Sequence, residues 1–141
     1  MIEIYSKVNP EKLLHIIYKA EDFYSKTGDR QRTDIVSDDA FLQVAAIRMK
    51  EDQTFVPHKH IEFKKETNIT QESWVVIEGK VLAILYDIDD SIIHEEVLYP
   101  GDCSITLLGG HNYKSLVEDT CVLEYKTGPY FGQEKDKVFI Q

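Results

Sequence analysis

An all-β sandwich or barrel is the fold class this sequence predicts, on three observations. From residue 41 onward, short apolar and β-branched runs recur between Gly, Pro, Asn and Asp punctuation. Helical spacing is confined to the N-terminal part. The chain has 141 residues, 43% hydrophobic and 29% charged, which suits one soluble domain that buries a core without disulfide staples.

The elements follow in order. Across residues 10–23, Leu13, Leu14, Ile17, Tyr18 and Ala20 recur at helical spacing behind the Asn9-Pro10 cap, so an amphipathic N-terminal helix is expected there. Residues 28–39 turn polar and read as a connector with a short strand near 33–36. Strands are then expected over 41–49, 54–60, 73–77, 80–87, 92–98, 104–108, 113–117, 121–126 and 138–140. "IEGKV" and "YDIDDSII" read as hairpin turns between consecutive antiparallel strands. The expected organisation is a helix and connector, residues 1–40, packed on a β-barrel formed by residues 41–141. No repeat, low-complexity tract or inter-domain linker interrupts it.

Charge narrows the functional classes. Lys and Arg total 16 against 25 Asp and Glu, a net charge of −9, and the basic residues are scattered. Nucleic acid and anionic membrane are therefore not expected partners. The N-terminus lacks the basic and apolar regions of a signal peptide, and no run reaches spanning length, so a cytoplasmic location is expected. Cys103 and Cys121 lie in no CxxC pattern and read as buried, reduced thiols.

The chemistry-bearing residues are dispersed along the chain. In an extended strand His58 and His60 would share a face about 7 Å apart. A strand beginning at Ser73 would put Glu72, Trp74 and Val76 on one face, with Val75 and Ile77 on the other. His111 follows two glycines that let the backbone turn tightly. Three imidazoles and a carboxylate from separate strands can hold one divalent transition metal, with Fe, Mn, Zn and Ni all compatible. His15 and His94 read as structural or solvent-facing. Asp87, Asp89 and Asp90 lack the glycine and terminal glutamate of a calcium loop and read as a turn.

These segments resemble the cupin superfamily, the small jelly-roll or double-stranded β-helix barrels. Its first motif is matched by His58, His60, Glu72 and Gly79, and its second by Pro100, Gly101, Asp102, Gly109 and His111. The likeness covers roughly residues 41 to 130. It departs from the pattern in the eleven residues between His60 and Glu72, which admit Glu62 or Glu66 as rival carboxylates, and in Leu107 where a proline is usual. The resemblance implies a metal site of His58, His60, Glu72 and His111. Trp74, Tyr113 and Lys126 are expected to bind substrate, with Tyr113, Glu66 and Tyr125 as candidate catalytic groups.

A metal so held, with a residual charge of about +1, could polarise a carbonyl or bind dioxygen. The expected function is a metal-dependent enzyme on a small polar substrate, of isomerase or epimerase type. Similarity of the "ESWVV" strand and "GPY" turn to cupins of polysaccharide and nucleotide-sugar metabolism suggests a sugar or sugar phosphate. An Fe(II) dioxygenase and a non-catalytic metal- or ligand-binding cupin are the alternatives. The strand "KVLAILYD" is apolar at nearly every position, so its outer face needs a cover, and a homodimer is expected.

Overall fold

The computed structural model of the chain describes residues 1–25 and 32–141. Among these residues the protein is mainly β, with ten strands and two short helices. Five strands form one antiparallel sheet, ordered β1 (Ile2–Tyr5), β2 (Leu13–Tyr18), β8 (Cys103–Thr106), β5 (Glu72–Glu78) and β10 (Cys121–Lys126). A second sheet has the order β7 (Ile92–Leu98), β6 (Val81–Tyr86) and β9 (Gly110–Ser115). A small hairpin pairs β3 (Arg32–Asp34) with β4 (Ala45–Ile47). The all-β class holds, and these sheets do not close into a barrel.

The expected helix over 10–23 is overturned. Residues 13–18 are strand β2, and the helix α1 is confined to Ala20–Ser25. The physical reason lies in burial: Leu14, His15, Ile16, Ile17 and Tyr18 are all buried, because β2 lies inside the five-stranded sheet with apolar residues on both faces. An unbroken apolar run fits either a buried strand or a helix. The strand near 33–36 corresponds to β3. The expected connector's residues 28–31 lie outside the described residues.

Most later strands stand as expected, with three exceptions. Residues 41–49 contribute only β4, while 54–60 and 138–140 form no strand. The "IEGKV" turn is not a hairpin, because β5 and β6 belong to different sheets and the chain crosses between them at Gly79, which has φ +84°. "YDIDDSII" does close the β6–β7 hairpin. There Asp87 is buried and accepts from the Lys7 and Ile88 backbone N–H groups and from the Ser6 hydroxyl. Cys121 is exposed, contrary to expectation, since β10 is an edge strand; Cys103 is buried and its thiol is pushed up to about 11 by that burial.

Two apolar clusters hold the layers together. One, between the two sheets, includes Ile17, Val76, Val81, Ala83, Leu85 and Leu98. The other lies on the opposite face of the large sheet, where Ile16, Ile105 and Cys103 pack against Ile35, Val36 and residues of the β3–β4 region. Pairing register defines what faces the inter-sheet space. His15, Thr106, Glu72 and Lys126 form one cross-strand row of the large sheet, and Ile17, Ser104, Trp74 and Glu124 the next. Opposite them the small sheet presents His94, Leu85 and His111, then Glu96, Ala83 and Tyr113.

Candidate functional site

One end of the inter-sheet space is polar because these rows place titratable groups there. Glu72 opens β5 and is only 5% exposed. Its Oε1 lies 3.1 Å from His111 Nε2 and accepts a 2.7 Å hydrogen bond from the Trp74 indole N–H. Burial raises the carboxyl pKa, but His111, Trp74 and the nearby Lys137 charge together outweigh it and hold Glu72 below the usual range. Glu72 is therefore an anion at neutral pH, and it fixes the His111 tautomer with Nε2–H as donor. In the neutral imidazole that leaves His111 Nδ1 with a lone pair. It is buried and has no hydrogen-bond partner among the described residues.

Aromatic side chains form the adjoining wall. Trp74 stacks on Tyr113 with ring centroids 4.1 Å apart and an interplanar angle of 15°, and the His111 ring lies 5.3 Å from Tyr113. The Tyr113 hydroxyl bonds the Ser104 hydroxyl, and burial drives its pKa well above that of an ordinary phenol. It acts as a neutral hydrogen-bonding group. Deeper in the same layer His15 is fully buried, its Nε2 2.9 Å from the Tyr86 carbonyl and its Nδ1 3.1 Å from the Thr106 hydroxyl. A carbonyl can only accept, so Nε2 carries the proton and Nδ1 accepts from Thr106. Burial lowers the His15 pKa to about 4, keeping it neutral.

The turn that delivers His111 requires glycine. Gly109 has φ +82°, and a Cβ there would lie 2.5 Å from the Tyr86 carbonyl oxygen and 3.3 Å from His15 Nε2. Asp102 of the "PGD" turn is structural, accepting from the Ala20 and Tyr99 backbone N–H groups and from Lys19.

The C-terminal tail crosses the mouth of this end. Asp136, in helix α2 (Gln133–Asp136), accepts a 2.7 Å hydrogen bond from Thr70 and lies 3.8 Å from Lys126 Nζ. Ile140 packs where Gly110 leaves room. At the rim, Lys126 also lies over the Tyr130 ring at 4.6 Å. Its slight burial favours the neutral amine, but the Glu124, Asp136 and Glu72 charges outweigh this and hold its pKa above the usual value. A hollow of about 340 Å³ adjoins the tail, lined by Thr70, Thr127, Phe131 and Asp136 among others. Neither it nor the neighbouring hollow beside Lys65 and Glu66 reaches Glu72 or His111. The dyad, where charge, burial and the unpartnered nitrogen coincide, is the stronger centre.

The expected site residues thus fall into two groups. Glu72, Trp74, His111, Tyr113 and Lys126 come together. His58 and His60 lie elsewhere, exposed on the irregular segment before β5, with their rings edge-to-face at 5.5 Å. Glu62 and Glu66 are exposed on that same segment, and Tyr125 points to the outer face of β10. Among the described residues no group of three or more His, Cys, Asp or Glu side chains could hold a metal ion as placed. Thr106 and Ser104 belong to the polar layer and escaped the sequence reading, while His15, read as structural or solvent-facing, is buried and structural among them. The alternation Cys103–Thr106 could have shown Ser104 and Thr106 to share a face, but nothing in the sequence marks His15 as their neighbour. No helix among the described residues is long and apolar enough to cross a membrane. Comparison with protein-family models, with curated proteins and with solved structures found no match for this chain.

Proposed function

We propose that the chain is an enzyme that binds a small polar molecule, of sugar or sugar-phosphate type, beside Glu72 and His111 and transfers a proton on it. One observation carries this reading: buried His111 Nδ1 has no hydrogen-bond partner among the described residues, while a carboxylate holds the opposite ring nitrogen. A buried polar atom left unsatisfied costs about 1–3 kcal/mol, so a group that meets it is favoured there. When Nδ1 accepts a proton from carbon next to a carbonyl, Glu72 stabilises the imidazolium. The electron pair left on carbon moves to the carbonyl oxygen; return of the proton to the opposite face of that carbon re-forms the carbonyl and completes an epimerisation, whereas an isomerisation also passes the adjacent hydroxyl's proton to that oxygen as the carbon proton returns to the former carbonyl carbon. Trp74 and Tyr113 supply a flat wall and Lys126 a cation at the rim. The tail over the mouth must move for substrate to enter.

The test is deuterium incorporation. Free and phosphorylated sugars incubated in D2O with the protein should exchange the proton next to the carbonyl, followed by NMR. His111→Ala should lower that rate at least about 100-fold, the low end of general-base contributions. Compounds that bind wild type and His111→Ala equally well, with no exchange in either, would defeat the reading.

A metal-dependent form of this chemistry has one observation in its favour: the His58 and His60 rings sit side by side, with His58 Nδ1 held to the Val56 carbonyl. With Glu72 and His111 they would form the donor set, and the ion would polarise a substrate carbonyl. As placed, the four do not converge, so the reading requires the segment before β5 to move. Equal metal content in wild type and a His58→Ala, His60→Ala double variant would eliminate it.

A further inference from the structure

We infer that residues 132–140 form a hinged strap that closes the mouth of the Glu72–His111 site and opens without unfolding the sheets. Three contacts on different elements hold it down. Asp136 accepts a 2.7 Å hydrogen bond from the Thr70 hydroxyl, just before β5, and lies 3.8 Å from Lys126 Nζ at the end of β10. Lys137 comes close enough to Glu72 for its charge to favour the ionised carboxyl. Ile140 fits so closely against Gly110, the residue before His111, that a Cβ on Gly110 would clash with Ile140 Cδ1. The strap thus presents a carboxylate to Lys126, a cation to Glu72 and an apolar side chain to the turn that delivers His111.

Apart from these contacts the segment is loosely attached. Neither apolar cluster takes a side chain from residues 127–141. α2 has four residues, none of them buried, and its N-terminus has no side-chain cap. Among the described residues, 138–141 make no backbone–backbone hydrogen bond, and Val138 and Phe139 are 90% and 76% exposed. Breaking a few contacts that bury little apolar surface costs only a part of the global stability, so the strap opens locally before the sheets unfold. Gly132 supplies the pivot. Its φ of 99° with ψ 157° is backbone territory open to glycine, and a Cβ there would meet no atom within 4 Å. Small residues at the ends of elements absorb such hinge movements. The strap's role as a gate for substrate rests on the proton-transfer reading; its closure over His111 does not, and closure is what the test measures.

Diethyl pyrocarbonate, which modifies unprotonated imidazole, reads the cover by peptide mass spectrometry, with exposed His58 and His60 as internal standards. Asp136→Asn with Ile140→Asp should speed His111 modification at least about tenfold relative to His58 while the circular dichroism spectrum stays unchanged. Acrylamide should then also quench Trp74, the single tryptophan, more strongly. Gly110→Ala should expose His111 from the other side of the same contact, and in an Ile140→Asp background it should add little. A lock gives the converse. Cys103 is buried, so in a Cys121→Ser background Thr70→Cys with Asp136→Cys presents two reactive thiols. His111 modification should be fast while these are free and slower than in wild type once a short thiol cross-linker joins them. A His111 rate that ignores both release and cross-linking, or simple additivity of Gly110→Ala and Ile140→Asp, would overturn the inference. If His111 responds as stated and no variant exchanges deuterium into a sugar, the strap stands and the proton-transfer reading falls.

Discussion

At the scale of single residues, three groups of the polar layer are held in one protonation state at neutral pH: His15 and Tyr113 neutral, Glu72 charged. His15 gives the clearest consequence. Its folded pKa, about 4, lies below the ordinary value near 6.5, so the unfolded chain binds a proton more readily between those values. The His15 contribution is fully present above about pH 6.5 and is lost as pH falls toward 4. That shift corresponds to on the order of 3 kcal/mol. Urea unfolding at pH 7 and pH 5 should therefore show a clear loss of stability that His15→Leu flattens. The variant should also be less stable at pH 7, because the Thr106 hydroxyl and Tyr86 carbonyl lose their partner. Glu72 has the same sign for a different reason: its carboxyl is depressed, so its contribution is present at neutral pH and lost in acid as it protonates. An identical midpoint at both pH values in wild type would contradict the His15 assignment.

Elements place these residues, and the turn before β9 is the one on which the dyad depends. Gly109→Ala forces a side chain into a left-handed backbone and against the Tyr86 carbonyl, so it should cost about 1–3 kcal/mol and displace His111. Because Trp74 is the single tryptophan and binds Glu72, the intrinsic fluorescence of the variant should shift along with its stability. Legibility in the sequence differed between elements for physical reasons. β5 to β10 could be read because turn residues bound each short apolar run, even where, as in β6, the run lacks alternation, and the face shared by Glu72 and Trp74 could be read from strand parity. β2 could not be read, since Leu13–Tyr18 is buried on both faces and lacks alternation. That is also why His15 was assigned to a helix. Residues 54–60 have the alternation of a strand, yet alternation records what a segment can pair with, and no ladder partner for it lies among the described residues.

At the scale of the whole molecule, the five-stranded sheet is a wall between two separate apolar layers, and this organisation has a measurable signature. Leu85 lies in the inter-sheet cluster and Ile105 in the cluster beneath the β3–β4 hairpin, and both are fully buried. Truncating either to alanine removes buried apolar contact and leaves a cavity, costing about 2–5 kcal/mol. Leu85 also lies between His94 and His111 in the register, so its loss should loosen the dyad, whereas loss of Ile105 should leave it intact. Because the clusters sit on opposite faces and share no side chains, the Leu85→Ala and Ile105→Ala costs should add within about 0.5 kcal/mol. Shared strands β2 and β8 nonetheless tie the layers into one cooperative unit, since each contributes to both faces. Unfolding of the double variant should stay a single transition, followed by Trp74 fluorescence and far-ultraviolet dichroism together. Two separated transitions would mean that the layers fold independently and that the sheet does not couple the site to the layer beneath it.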